Sequence, residues 1–298
     1  MKENKPSNTA LIVAGGLQLA TDTRALAHLM PAEAIDRGAQ LLRAVHPRLA
    51  ALLRQPWFRR IALLAERATL PGISLHFALR KRRLRTLAHD AVQGGCRQVV
   101  VLGAGLDTLC AELLGAYAHL RCFEIDHPAT QLQKRAAAGP QGPAIVYLGV
   151  DLARQPLASV LAQCPAFEPN APTLFVAEGL LMYVPLDAVA TLFRQMAQAA
   201  PESRVAFTWL EPQADGRPNF SRRSRLIDFW LKLRGEPFMS GMRRADLPGF
   251  LTANGFALAS IGDSIDQLGA AELCLLDGAA LPMVGEYICF ATTTETAL

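Results

Sequence analysis

The run QVVVLGAGLDTLCAELLG, residues 98–115, admits few folds. Val99, Val100, Val101 and Leu102 form a short, mostly β-branched stretch with strand character. Gly103 and Gly105 then permit a sharp bend, and Asp107 or Thr108 can cap a helix carrying Leu109, Leu113 and Leu114. A strand that turns tightly into a helix aims backbone N–H groups at whatever lies above the strand. The chain beyond residue 97 continues in the same way. Strand-like runs fall at 98–102, 119–125, 144–150, 173–177, 204–210, 256–261 and 286–292. Between the first five lie helical patterns such as 186–200, with Val189, Leu192, Phe193 and Met196 on one face. This alternation predicts an α/β fold with a doubly wound, mostly parallel seven-stranded sheet.

Residues 1–90 read instead as a helical cover, and residues 91–298 as the core. Between 34 and 70, Leu41, Leu42, Val45, Leu49, Leu52 and Leu53 recur on one stripe, with Pro47 and Pro56 as breaks. Pro212, Gly216, Pro218, Gly235 and Pro237 interrupt the later rhythm, and with the amphipathic RLIDFWLKLR they predict a lid within 212–250. The chain is 51% hydrophobic and 19% charged, so a sizeable core is expected and extensive disorder is not. A net charge of +4 is too small to imply a nucleic-acid partner. The six cysteines lie far apart without CxxC or zinc spacing, and the six histidines form no HExxH. Neither a metal nor a disulfide framework is expected; buried free thiols in a cytoplasmic protein are. ALIVAGGLQLA (10–20) falls short of the roughly 18 apolar residues of a membrane span, so no membrane partner is expected. Nothing in the sequence bears on oligomeric state.

Gly-x-Gly after a strand fits several ligands. The dinucleotide fingerprint has a third small residue three positions on, and Gly103-Ala104-Gly105-Leu106-Asp107-Thr108 lacks it. Asp107 would also repel a pyrophosphate, which weighs against a nicotinamide-dependent oxidoreductase. The second strand, LRCFEIDHP, ends in Glu124 and Asp126, and Asp126 is the better placed to accept both hydroxyls of a ribose. The third ends LGVDL, where Asp151 suits the exocyclic amine of an adenine and Leu152 its ring face. The fourth, TLFVAEGLLMYVP, holds Glu178 in an apolar run, where a carboxylate is costly without a partner. Taken singly, these residues also fit simpler roles as turn glycines and solvated strand ends. Together they mark a crevice above a parallel sheet, and the ligand they suit has an adenosine and no pyrophosphate.

LGAGLDT, FEIDHP, VDL and FVAEGLLMYV, in this order, resemble the successive motifs of the leucine carboxyl methyltransferase family and its bacterial relatives, over roughly residues 70–210. The resemblance implies the Rossmann-like fold of class I methyltransferases and S-adenosyl-L-methionine as cofactor. It places Gly103 at the methionine part, Ala104 and Gly105 beside it among the cofactor-binding residues, Asp126 at the ribose, Asp151 and Leu152 at the adenine, and Glu178 towards the amino-acid end. HFALRKRRLR (76–85) matches the family's arginine segment, so Arg80 or Arg82 would reach the methionine carboxylate. A guanidinium suits that group through two parallel hydrogen bonds. Leu109 departs from the arginine that many bacterial relatives carry there. The function implied is methyl transfer to an oxygen of a small molecule or a chain-terminal carboxyl. A carboxylate is favoured, because it is ionised at neutral pH and needs no base. Any other oxygen would need one, with His76, Tyr183 and Glu178 as the candidates. A protein that binds an adenosine ligand without turnover is the non-enzyme alternative.

Overall fold

The structure, a computed structural model, describes residues 8–21, 29–139, 144–221, 237–269, 272 and 281–294. Five helices precede the first strand: α1 (Asn8–Thr21), α2 (Ala32–Val45), α3 (Pro47–Leu53), α4 (Pro56–Thr69) and α5 (Ile73–Gln93). Alternation then begins with β1 (Gln98–Leu102), α6 (Leu109–Ala116), β2 (Arg121–Asp126), α7 (Pro128–Ala138) and β3 (Ile145–Gly149). It continues through α8 (Leu157–Ala162), β4 (Thr173–Ala177), α9 (Leu186–Ala199) and β5 (Arg204–Leu210). The described chain closes with α10 (Leu247–Ala253), β6 (Phe256–Gly262) and β7 (Glu286–Thr293).

The seven strands form one sheet in the order β3-β2-β1-β4-β5-β7-β6. Strands β1 to β5 pair in parallel, and β7 runs antiparallel to both β5 and β6. The strand ranges expected from the sequence hold to within two residues. The largest offset is at β2, because residues just before it turn back, with the Leu120 N–H donating to the Tyr117 carbonyl. The chain walks outwards from β1 to β3 and then crosses to the other side of β1 for β4. That reversal opens a crevice at the carboxyl ends of β1 and β4.

Alternate residues of each strand feed two helical layers, as the two-residue period of a strand requires. Val100, Leu102, Phe123, Ile125, Phe175 and Phe207 pack against α8, α9 and α10. Val99, Val101, Cys122, Leu174 and Val176 pack against α5 and α6. Helix α5 is therefore part of the layer that covers the sheet, and its N-terminal half reaches the ends of the strands. Helix α1 lies over α5, with Gly16 backed onto the Phe77 ring, and also over the glycine turn, where Ala10 approaches Gly105.

One expectation changes in this region. The leucine stripe across 41–53 does not continue as one face. Pro47 starts a new helix and resets the phase, so Leu42 and Leu53 are buried whereas Leu52 is exposed. Within the expected lid, RLIDFWLKLR lies outside the described residues; the described remainder is a coil pinned by a Pro212–Pro218 bridge, followed by α10. Five described cysteines are buried free thiols, and Cys274 lies outside the described residues. No described helix is long and apolar enough to cross a membrane.

Gly72 sets the junction between α4 and α5. It sits in the left-handed region at φ 81°, and a Cβ there would fall on the carbonyl oxygen of Leu281. Gly72→Ala is expected to lose more than about 2 kcal/mol of unfolding free energy in urea, from left-handed strain and the backbone clash together. A loss below about 0.5 kcal/mol would mean that the backbone at 281 yields freely.

Candidate active site

The crevice floor is built by strand ends that share a register. Leu102 lies opposite Ala177 and Ile125, so Gly103, Asp126 and Glu178 emerge on the same edge. The turn after β1 holds Gly103 at φ 64° and Gly105 at φ 47°, which only glycine adopts without strain. That conformation turns the Gly105 N–H onto Asp126 Oδ2 at 2.5 Å, and the His127 N–H donates to Oδ1 at 2.6 Å. Burial pushes the Asp126 carboxyl above its ordinary range, and these two backbone donors work against that. Each oxygen keeps a further acceptor site. Glu124, the other carboxylate of β2, is buried against Lys134 of α7 and takes no part in the crevice.

Above the floor, α5 contributes adjacent cations. The Arg80 guanidinium donates from Nε to Glu178 Oε1 at 2.9 Å and from Nη1 to Glu286 Oε2 at 2.9 Å. Lys81 Nζ bridges Asp107 Oδ2 at 2.6 Å and Glu178 Oε2 at 2.8 Å. Burial alone would lower both cations, and the flanking carboxylates overcome it, so both stay protonated. Burial would likewise raise Glu286, but Arg80 and then His76 hold it down to about 2. Lys81 holds Asp107 below its ordinary range in the same way, against its burial. His76 is fully enclosed, with Nε2 2.5 Å from Glu286 and Nδ1 2.6 Å from the Ser264 hydroxyl. Arg80 Nη2 has no hydrogen-bond partner among the described residues, and Gly179 (φ 58°) leaves it open: a Cβ there would lie 3.4 Å away.

The structure thus gathers Arg80, Gly103, Ala104, Gly105, Asp126 and Glu178 at one edge. Arg82, on the other side of α5, pairs with Glu272 at 2.6 Å and stays outside the cluster. Asp151 and Leu152 follow β3, where Asp151 accepts from the Ala153 N–H at 3.0 Å and is part exposed. Tyr183 packs against Phe238 among Ile73, Phe77 and Phe220. His76, a candidate base, is positioned to hold Glu286 rather than to meet an acceptor, since both ring nitrogens are engaged. Asp107, expected as a helix cap, does accept the Leu109 N–H at 2.8 Å and also anchors Lys81. The sequence reading missed Glu286 and Lys81. A carboxylate opening the apolar run EYICFA carried the same signal as Glu178, but its partners lie 206 and 210 residues away.

The donor set fits a ligand with vicinal hydroxyls at Asp126, a carboxylate at Arg80 Nη2 and an ammonium near Glu178. No group of three or more possible metal ligands occurs among the described residues. A doubly wound sheet closed by an antiparallel seventh strand is the Rossmann-like architecture of class I methyltransferases. Solved structures share it. A DUF574 family protein from Streptomyces avermitilis aligns at a TM-score of 0.58 and 16% identity, covering 80% of this chain and 91% of its own. A protein from Thermobifida fusca, provisionally titled a methyltransferase, aligns at 0.55 and 14%, covering 86% and 94%. The profile of the leucine carboxyl methyltransferase family matches residues 20–197, and the chain belongs to that family. A relative from Mycobacteroides abscessus, provisionally named an S-adenosyl-L-methionine-dependent methyltransferase, is 33% identical over 208 residues, 65% of each chain. One of the same provisional name from Frankia alni is 36% identical over 142 residues, 46% of this chain and 48% of its own. The chain thus spans between about half and two thirds of the length of these relatives.

The Glu286 carboxylate, held near 2 against an ordinary 4.5, contributes stability that is full at neutral pH and lost as pH falls from about 4.5 to about 2. Glu286→Gln is expected to lower unfolding free energy at pH 7 by about 3 kcal/mol, because it leaves the buried guanidinium one carboxylate partner instead of two. The gap between variant and parent should close across that acid window. Urea titrations showing a constant gap down to pH 3 would place the ion pair elsewhere.

Proposed function

We propose that this chain is an S-adenosyl-L-methionine-dependent O-methyltransferase, with a carboxylate as its favoured acceptor. The observation that carries this reading is the pairing at the strand ends: Asp126 is fixed by the Gly105 and His127 N–H groups, and Arg80 Nη2, beside Gly179, has no partner among the described residues. In this reading Asp126 accepts the two ribose hydroxyls, Asp151 and Leu152 meet the adenine, Arg80 Nη2 takes the methionine carboxylate, and Glu178 attracts the ammonium. Among the described residues Nε and Nη1 are already committed to Glu178 and Glu286, so Arg80 donates from Nη2 without a two-pronged grip. S-Adenosyl-L-methionine, when bound, supplies a methyl group already electrophilic on a sulfonium. The work left to the protein is alignment of acceptor and methyl in a water-poor crevice. In this reading the described helices before β1 act as the cover of the crevice.

The carboxylate preference rests on the groups at hand. His76 is enclosed between Glu286 and Ser264, and Glu178 is paired with both Arg80 and Lys81. Tyr183 lies half-buried among aromatic side chains. None of the three is an open base, and an acceptor that is already ionised needs none. The family's own name points to a carboxyl acceptor as well. A nicotinamide dinucleotide fits poorly, because the Asp107 carboxylate stands in the turn where a pyrophosphate would lie.

Calorimetric titration should give binding of S-adenosyl-L-methionine and its demethylated product and none of NAD. Asp126→Ala should weaken both by about 1.5–3 kcal/mol, the range for hydrogen bonds to a charged group. Binding of NAD alone would end the reading, and unchanged affinity in the variant would misplace the ribose. With a methyl-labelled donor and a panel of organic acids, label transferred to a carboxylate should return as methanol in mild alkali. Alkali-stable label would make the acceptor a hydroxyl, and binding without any transfer would make the chain a carrier.

A further inference from the structure

Helix α4 carries a surface that the crevice does not use. Trp57, Ile61 and Leu64 are 56%, 55% and 61% exposed, although each is a large apolar side chain. They recur at i, i+4 and i+7, on one face, while Phe58 and Ala62 on the other face pack against the cluster around Leu42 and Leu53. Leu52, at the end of α3, extends the exposed patch. Along the chain, the charge beside it is almost all of one sign. Residues 43–70 contain six arginines and a single carboxylate, Glu66. That carboxylate is already engaged by the Ser74 hydroxyl at 2.5 Å. Arg48, Arg54, Arg60 and Arg67 are exposed and have no carboxylate partner among the described residues.

We propose that α4, with the end of α3, is a docking surface for an anionic lipid bilayer, lying in the plane of the headgroups. A tryptophan and branched aliphatic side chains flanked by arginines suit that interface: the apolar groups enter the acyl boundary and the guanidiniums meet lipid phosphates. A second copy of the chain is disfavoured, because a two-fold contact would set arginine against arginine. A bound peptide is disfavoured too. The side chains of Trp57, Ile61 and Leu64 are each more than half exposed and stand out from the surface. The expectation of no membrane contact rested on span length, which does not bear on a helix lying flat. The surface is separate from the crevice and does not depend on the methyl-transfer reading.

The test is co-sedimentation of the full chain with vesicles of equal parts phosphatidylglycerol and phosphatidylcholine, and with vesicles of phosphatidylcholine alone. Binding to the anionic vesicles should be at least about tenfold stronger and should fall steeply with added salt. Ile61→Asp with Leu64→Asp, and separately Arg60→Glu with Arg67→Glu, should each weaken it about tenfold or more. Melting temperatures should hold, since all four side chains are exposed. Tryptophan emission should shift to the blue on binding and lose that shift in Trp57→Phe, a variant mild enough to fold. Equal affinity for both vesicles, a blue shift that survives Trp57→Phe, or variants that bind as the parent does would each overturn the proposal. So would α4-dependent self-association, or binding to an acidic polypeptide, without vesicle binding.

Discussion

The buried guanidinium of Arg80 is the interaction on which the rest of the site depends. An arginine 4% exposed is unstable in a protein interior unless its charge is met, and here two carboxylates from distant strands meet it. Glu178 comes from the end of β4 and Glu286 from the start of β7, so one side chain on α5 ties the middle of the sheet to its antiparallel strand. His76, one helical turn before Arg80, buttresses Glu286 from the other side and is itself fixed by Ser264. Gly179 donates its N–H to the Thr208 hydroxyl at 2.9 Å, and Thr208 also reaches Glu286. Each group in this set is held by the next.

The sheet order explains why these groups converge there. Parallel strands leave their carboxyl ends on one edge, and the reversal between β1 and β4 parts the helices above them. Helix α5 fills the gap as well as covering the sheet, so its inward face must be apolar near β1 and charged near the strand ends. Leu84, Leu87, Ala88 and Ala91 serve the first need, and His76, Arg80 and Lys81 the second. Helix α1 then closes over the turn, with Ala10 close enough to Gly105 that a larger residue at either place would push the two apart.

Much of this was legible in the sequence because buried parallel strands advertise themselves. Their apolar, β-branched runs gave all seven positions, and the carboxylates at their ends marked the crevice. What was hidden depended on helical phase or on long-range pairing. Arg80 and Arg82 are equivalent in the string RKRR, yet two residues turn a helix through about 200°, so one enters the cluster and the other pairs with Glu272. Lys81 has the same ambiguity. Glu286 could be recognised as a carboxylate in apolar company, but not as the partner of a residue more than two hundred positions earlier. Leu52 reads as core by spacing and is exposed because Pro47 resets the phase.

The charge of the cluster carries the argument one step further. Arg80 and Lys81 face Asp107, Glu178 and Glu286, three carboxylates against two cations before His76 is counted, and Asp126 lies at the same edge. Burial raises the cost of that surplus, because little water is present to screen it. A zwitterionic amino-acid end leaves the balance unchanged, whereas a ligand with one further positive charge offsets it. Of the two ligands in the proposed reaction, the sulfonium donor carries that charge and its thioether product does not. In the proposed reading, the arrangement that anchors Arg80 therefore also suits the charge of the donor better than that of the product.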